Sequence, residues 1–484
     1  MKNSSEPSES IPNVFRTART NELSVVTLRK VTWRLIPFLF LLYVIAWLDR
    51  VNVGFAGLEM NADLRFSSTV FGLGSGIFFL GYCLFEIPSN IILERVGARL
   101  WISRIMVTWG LISAGLMFVR TPATFYLLRF LLGAAEAGFF PGVIYYLSLW
   151  YPTAHRARAI AAFMTAVPAT GLIGSPLSGA LLELNGLHGL AGWQWLFLLE
   201  GLPAVILGTS VLFYLKDRPE ITHWLTPAER DWLVGTLAAE RRACVLKPNI
   251  HVALTDVTIW KLGTIFLLAA AGFYGYSFWA PLIIKSLTGL GNFEVGLVLG
   301  AISAVTILGM LVNSYHSDRT GERAMHIAMA LLVMAVGLIG CALLRQPVLA
   351  IIALALVPLG HCASYGPFWS MPTQFLTGPA AAAGIALVTM IANVGGFAGP
   401  ALIGVMKTRT GTHADAFLLL GGLAVIATLL ALKNRPCSSA EQRTTHLRRA
   451  AASGLTAVAL RFGVDTGSLG TALMLLSLRG RGGF

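Results

Sequence analysis

Twelve stretches of about 20 mostly apolar residues, separated by short polar breaks, take up most of the chain between residues 33 and 432. About 20 such residues are what an α-helix needs to cross the hydrocarbon core of a bilayer. The pattern predicts helices at 33–53, 69–92, 101–119, 123–148, 158–183, 193–215, 260–284, 295–315, 325–344, 348–371, 380–406 and 413–432. The fold class is therefore an all-α membrane protein with twelve transmembrane helices. Residues 1–32 form a polar N-terminal segment with Lys2, Arg16, Arg19, Arg29 and Lys30, and lack the apolar core followed by small residues that a cleaved signal needs. Residues 216–259 separate six helices from six. They carry Pro219, a helix start at Thr226-Pro227-Ala228-Glu229 and a polar run to Pro248, the marks of a linker. Residues 33–215 are then one six-helix half and 260–432 the other. Beyond Leu432, residues 433–484 are basic, and their apolar patch from Ala472 to Leu478 is too short to span; this tail is assigned no function.

A repeat relates the halves. Arg95, Gly97 and Arg99 recur as Arg319, Gly321 and Arg323, and Gly171 and Pro176 recur as Gly395 and Pro400, all at an offset of 224 residues. An offset shared by loop and helix positions implies that the second half copies the first. Transporters with a midplane site between two halves are built in this way.

Composition narrows the class further. With 56% hydrophobic and 12% charged residues, an ordinary soluble surface is excluded. The net charge of +13 lies in loops and tails rather than on a soluble domain, so it reads as a topology signal and not as a nucleic-acid surface. Arg95, Arg99, Arg156, Arg158 and the cations of 216–259 fall on alternate loops, which by the positive-inside rule puts both termini and the linker in the cytoplasm. Cys83, Cys244, Cys341, Cys362 and Cys437 show no CxxC spacing, so neither a disulfide framework nor a metal site is expected.

The chemistry concentrates in Arg129 to Gly142, RFLLGAAEAGFFPG, which places two opposite charges inside an apolar helix. Arg129 and Glu136 share a face but stand roughly 10 Å apart along the axis, too far for a local ion pair. A charge at bilayer depth costs a few kcal/mol unless it faces a wet cavity or a partner. Either a substrate and ion pathway or a structural ion network between helices satisfies that condition. In helix 1, Asp49 and Arg50 point about 100° apart and need not neutralise each other. Arginine keeps its charge and can clamp a carboxylate with a planar fork, whereas a carboxyl taken out of water favours its neutral form and can carry a proton.

Glu94-Arg95-Val96-Gly97-Ala98-Arg99 and its copy Asp318-Arg319-Thr320-Gly321-Glu322-Arg323 resemble the signature loop of the major facilitator superfamily. There the acid, the glycine turn and the arginines form a charge relay that latches the halves on the cytoplasmic side. Trp47 to Val53, Gly81-Tyr82, Glu86 to Asn90, Arg129 to Gly142 and Tyr365 to Trp369 narrow the resemblance, over residues from about 30 to 432, to the anion:cation symporters and their tartrate transporter branch. The resemblance implies that Arg50 and Arg129 hold a substrate carboxylate, that Asp49 and Glu136 take up protons, and that Glu94, Arg95, Arg99, Asp318, Arg319 and Arg323 gate. Relatives usually end soon after helix 12, so the tail departs from the pattern.

In the second half, Tyr274, Tyr276, Ser277 and Trp279 mark a candidate face of helix 7, and Asn393 is the lone amide of helix 11. The tyrosines and the amide could bond substrate hydroxyls, although an aromatic cluster near a helix end equally suits a membrane-interface belt. His361 reads as a packing residue. The expected function is proton-coupled uptake of a small organic anion, a hydroxylated mono- or dicarboxylate, across a bacterial inner membrane by alternating access. A non-transporting receptor for such a metabolite is the alternative. No Ser/His, HExxH or phosphate-binding pattern suggests an enzyme. No cofactor is expected, and a single chain is expected to be the working unit.

Overall fold

A computed structural model describes residues 13–243, 256–371 and 378–433, and the regular elements among them are helical. Twelve helices are long and apolar enough to cross a membrane, here numbered spans 1 to 12: Glu22–Asp63, Ser68–Val96, Ala98–Phe118, Pro122–Ser148, Thr153–Leu182, Gly192–Tyr214, Val257–Thr288, Asn292–Thr320, Ala324–Leu343, Pro347–Ser370, Gly384–Thr410 and Ala414–Lys433. The expected segments marked the apolar centres, and several helices run further, because polar residues at an end leave the backbone ladder intact until a turn interrupts it. Span 1 is the extreme case. It continues to Asp63 before Arg65 turns the chain at φ 53°, so Asp49 and Arg50 lie inside a continuous helix. Residues 1–12, Cys244 and the tail from 434 lie outside the described residues.

Span 4 is not the unbroken helix that its apolar run suggested. One helix ends at Glu136, the next starts at Phe139, and between them Gly138 adopts the left-handed conformation at φ 86°. A side chain there would be strained and would also collide with Ser89 of span 2. The break leaves Glu136 as the last residue of its helix.

The internal repeat is present in three dimensions. Spans 2 and 8 both stop at a glycine with positive φ, Gly97 and Gly321, and Pro176 and Pro400 lie within spans 5 and 11. The same offset joins two further positions. Gly72 of span 2 meets Pro400 of span 11, and Gly296 of span 8 meets Ser175 and Pro176 of span 5. Each lets a backbone of one half approach a carbonyl of the other, the usual reason for small residues at helix crossings in a bilayer.

Hydrogen bonds join the halves at one end of the bundle. Thr69 donates from Oγ1 to Thr408 Oγ1 at 2.8 Å. Lys285 donates to Asn292 Oδ1 at 2.6 Å, and Asn292 Nδ2 donates to Glu59 Oε1 at 2.8 Å. At the opposite end the loop charges pair inside their own halves. The Arg99 backbone N–H donates to Asp217 Oδ1 at 2.8 Å, while Arg323 pairs with Asp318 at 2.6 Å. Glu94, Arg95 and Arg319 are exposed there. The acid that meets the first loop in this structure is Asp217, just beyond span 6, because the turn at Gly97 aims the Arg99 N–H at it, while Glu94 is exposed.

The linker contributes a helix, Pro227–Ala243, docked beneath the first half. Glu229 accepts from Lys30 at 2.6 Å and closes a capping box with Thr226. Burial opposes its charge, but the hydrogen bonds from Lys30 and Thr226 outweigh that and hold the Glu229 carboxyl below the usual carboxylate range. A depressed carboxyl stabilises the fold above its unfolded value, about 4.3, and that contribution fades as pH falls through the folded value. Lys30 is part-exposed, so the pair should contribute no more than about 1 kcal/mol. Glu229→Gln is expected to speed limited proteolysis of the linker at pH 7 and to make little difference below about pH 4. Equal cleavage rates at pH 7 would show that the pair does not hold the helix.

Candidate functional site

Two helices bring the opposite charges of the sequence together. Arg50 of span 1 donates to Glu136 at the break in span 4, and both are almost fully buried. The rings of Trp47, Phe78 and Tyr82 surround the guanidinium at 5.0, 5.3 and 5.3 Å from its carbon. Such contacts hold a cation by about 0.5–1 kcal/mol each, and more when it is desolvated. Arg50 also forms part of the wall of a cavity between the halves, together with Tyr82, Tyr274, His361, Trp369 and Asn393. Its Nε has no partner. A buried ion pair gains little over an apolar pair, but removing one partner is costly because the other is stranded. Glu136 can therefore leave Arg50 at moderate cost only if another anion takes its place beside the guanidinium.

Arg129 does not line this cavity. It is fully buried, donating from Nε to the Gly74 carbonyl at 3.3 Å and from Nη2 to the Ser75 carbonyl at 3.2 Å, which straps span 4 to span 2. Nη1 is left without a partner, and the Phe78 ring lies beneath both Arg129 and Arg50. Asp49 faces away from the cavity, toward span 3. It accepts from Trp109 Nε1 at 2.9 Å, Ser113 Oγ at 2.7 Å and Asn52 Nδ2 at 3.4 Å.

In the second half the two tyrosines expected to act together face different spaces. Tyr274 stacks on Trp47 with ring centroids 6.1 Å apart and lines the Arg50 cavity. Tyr276, two residues on, lines a second cavity with Phe55, Ser277 and Thr306, one that no charged side chain lines. Two helical positions differ by about 200°, which is the reason. Neither ring is part of an exposed belt. His361 stacks on Phe273 at 4.3 Å, as a packing residue would, but it also lines the Arg50 cavity with Nδ1 free. Trp369 Nε1 and Asn393 Nδ2 are buried there without partners. The wall opposite Arg50 thus offers unused donors.

Sequence reasoning gave no role to two acids, Glu86 of span 2, quoted only for the family resemblance, and Glu200 of span 6, both at least nine-tenths buried. Each interrupts an apolar run as Glu136 does, so the signal was available.

The fold and this site can be set beside known proteins. The sequence description Major Facilitator Superfamily matches residues 39–400. The chain belongs to the major facilitator superfamily. It is similar to a protein of Agrobacterium vitis named "Putative tartrate transporter", 51% identical over 414 residues that cover 85% of this chain and 92% of the relative. The Escherichia coli (strain K12) "Inner membrane transport protein RhmT" is 40% identical over 401 residues, 82% of this chain and 92% of its own. Among solved structures, an inward-facing, occupied bacterial homologue of the human lysosomal transporter Spinster superposes with a TM-score of 0.68 at 16% identity, covering 84% of this chain and 98% of that one. This member of the superfamily is a multi-pass secondary transporter with twelve membrane helices, and not an enzyme.

Proposed function

We propose that the protein carries a small hydroxylated mono- or dicarboxylate into the bacterial cytoplasm together with protons, by alternating access. The observation that carries this reading is the Arg50–Glu136 pair at the wall of the cavity between the halves. A substrate carboxylate that takes the Arg50 fork displaces Glu136, and a carboxyl left in a dry site beside an incoming anion is disposed to accept a proton. Anion and proton then enter together. Arg129 adds positive field near Glu136 and fixes span 4, while Asp49 holds a further proton behind span 1. Tyr274, Asn393, Trp369 and His361 offer hydrogen bonds to the hydroxyls or second carboxylate of the substrate. The name of the Agrobacterium vitis relative supports the substrate class. The positive loops put both termini and the Arg95 and Arg319 loops in the cytoplasm, which makes the Thr69–Thr408 end the closed periplasmic gate. One chain suffices, because both walls of the cavity come from it.

Proteoliposomes holding the full chain should concentrate labelled tartrate or a related hydroxy acid when an inward pH gradient is imposed, and only equilibrate it when the gradient is collapsed. Equal uptake in both conditions would end the proton-coupled reading. Orientation has its own check. In a cysteine-free background, Gly235→Cys should be silent to impermeant thiol reagents in intact cells and Gly189→Cys should react; labelling of the former would invert the assignment.

A further inference from the structure

Span 6 carries a carboxyl, Glu200, in the apolar run Phe197-Leu198-Leu199-Glu200-Gly201-Leu202. It is 1% exposed. Its Oε1 accepts from Ser178 Oγ of span 5 at 2.7 Å, and its Oε2 has no partner. Asn52 of span 1 stands between Glu200 and Asp49. The Asn52 side chain reaches Asp49 Oδ1 at 3.4 Å and also interacts with the Glu200 carboxyl, while its own Oδ1 is buried without a donor. Among the described residues, the charged or titratable group that acts on Glu200 from the helices around it is Asp49; spans 3 and 5 supply the neutral Trp109, Ser113 and Ser178. Arg50 is held by Glu136, and Arg129 is turned to the Gly74 and Ser75 carbonyls of span 2.

Two carboxylates that share the Asn52 amide, inside a bilayer-spanning half and with no cation described on Glu200, cannot both be ionised at moderate cost. A proton on Oε2 would turn it from an acceptor without a donor into a donor, and the Asn52 Oδ1 nearby is an acceptor that lacks one. Asp49, for its part, already spends both oxygens on hydrogen-bond donors, an arrangement suited to a carboxylate in a proton network rather than to a metal shell. We propose that Glu200 shares one proton with Asp49 through Asn52, which makes the pair a second proton-holding site of the carrier, enclosed within the first half and separate from the Arg50–Glu136 pair. This rests on the proton-coupled reading above, and makes Glu200 a residue that sets the pH range of transport rather than one that touches substrate.

The test is infrared difference spectroscopy on the reconstituted full chain, without substrate, as pH is varied, beside the pH profile of labelled tartrate counterflow. Glu200→Gln should lose one protonated-carboxyl band and shift the pH profile. Ser178→Ala removes the donor that supports the ionised form, so it should keep the band, with proton release moved to more alkaline pH. A shift in that direction is something a packing role does not produce, and it remains readable if Glu200→Gln fails to fold. An unchanged band in Glu200→Gln, an unmoved titration in Ser178→Ala, or a band that follows Na⁺ at constant pH would overturn the proposal. The spectra contain no transport step. Failure of gradient-driven uptake in the wild type would therefore sink the proton-coupled function while leaving the Glu200 result to be read by itself.

Discussion

Glu136→Gln is expected to abolish accumulation of substrate against a gradient while leaving exchange across the membrane intact. In the resting protein Glu136 occupies Arg50. A substrate carboxylate must compete for that guanidinium, and the competition ends in its favour when Glu136 becomes protonated. Glutamine mimics the protonated state permanently. Its amide oxygen can still accept a bond from Arg50, so the cation is not wholly stranded, but the neutral group is a weaker competitor. Substrate should then bind with little dependence on pH, and counterflow should persist. What is lost is the step in which the empty carrier gives up its proton. Paired gradient-driven uptake and counterflow, in proteoliposomes with equal amounts of each protein, separate these outcomes. A variant that still concentrates substrate under a pH gradient would remove Glu136 from coupling. Loss of both activities in a folded protein would return the pair to the role of a structural ion network.

Arg50→Lys should weaken substrate binding by at least tenfold, about 1.4 kcal/mol, with little change in thermal stability. Lysine keeps a charge near Glu136 but loses the fork that grips a carboxylate with two bonds. It also fits the ring of Trp47, Phe78 and Tyr82 less well than a flat guanidinium does. Arg129→Lys should behave differently, because Arg129 bonds two successive carbonyls, of Gly74 and Ser75, that a single ammonium cannot satisfy together. A buried carbonyl left without a donor costs about 1–3 kcal/mol, so this variant should melt earlier. Binding isotherms and melting curves on both proteins check the contrast. Wild-type affinity in Arg50→Lys would send the search for the anion site to the second half.

Much of this protein is written in one dimension. Length and apolar run determine that residues 33–53 or Ala324 to Leu343 must be a membrane helix, since a bilayer leaves a backbone few other ways to satisfy its polar groups. The 224-residue offset likewise determines that two halves exist, and it holds at Gly72 and Gly296, which were not used to find it. Charges inside apolar runs marked Asp49, Arg50, Arg129 and Glu136 as costly and hence purposeful, and the same rule applied evenly would have marked Glu200. What the sequence could not decide was partnership. Arg50 and Glu136 lie 86 residues apart and pair where span 4 breaks at Gly138, a backbone event with no hydropathy signal. Arg129 turned to backbone carbonyls of span 2, and the carbonyls along a neighbouring helix cannot be read from residue types. Asp217 rather than Glu94 meets the first loop in this structure, and Tyr276 parted from Tyr274. In each case the residue type states what a side chain needs, while the crossing of helices alone decides which group is near enough to supply it.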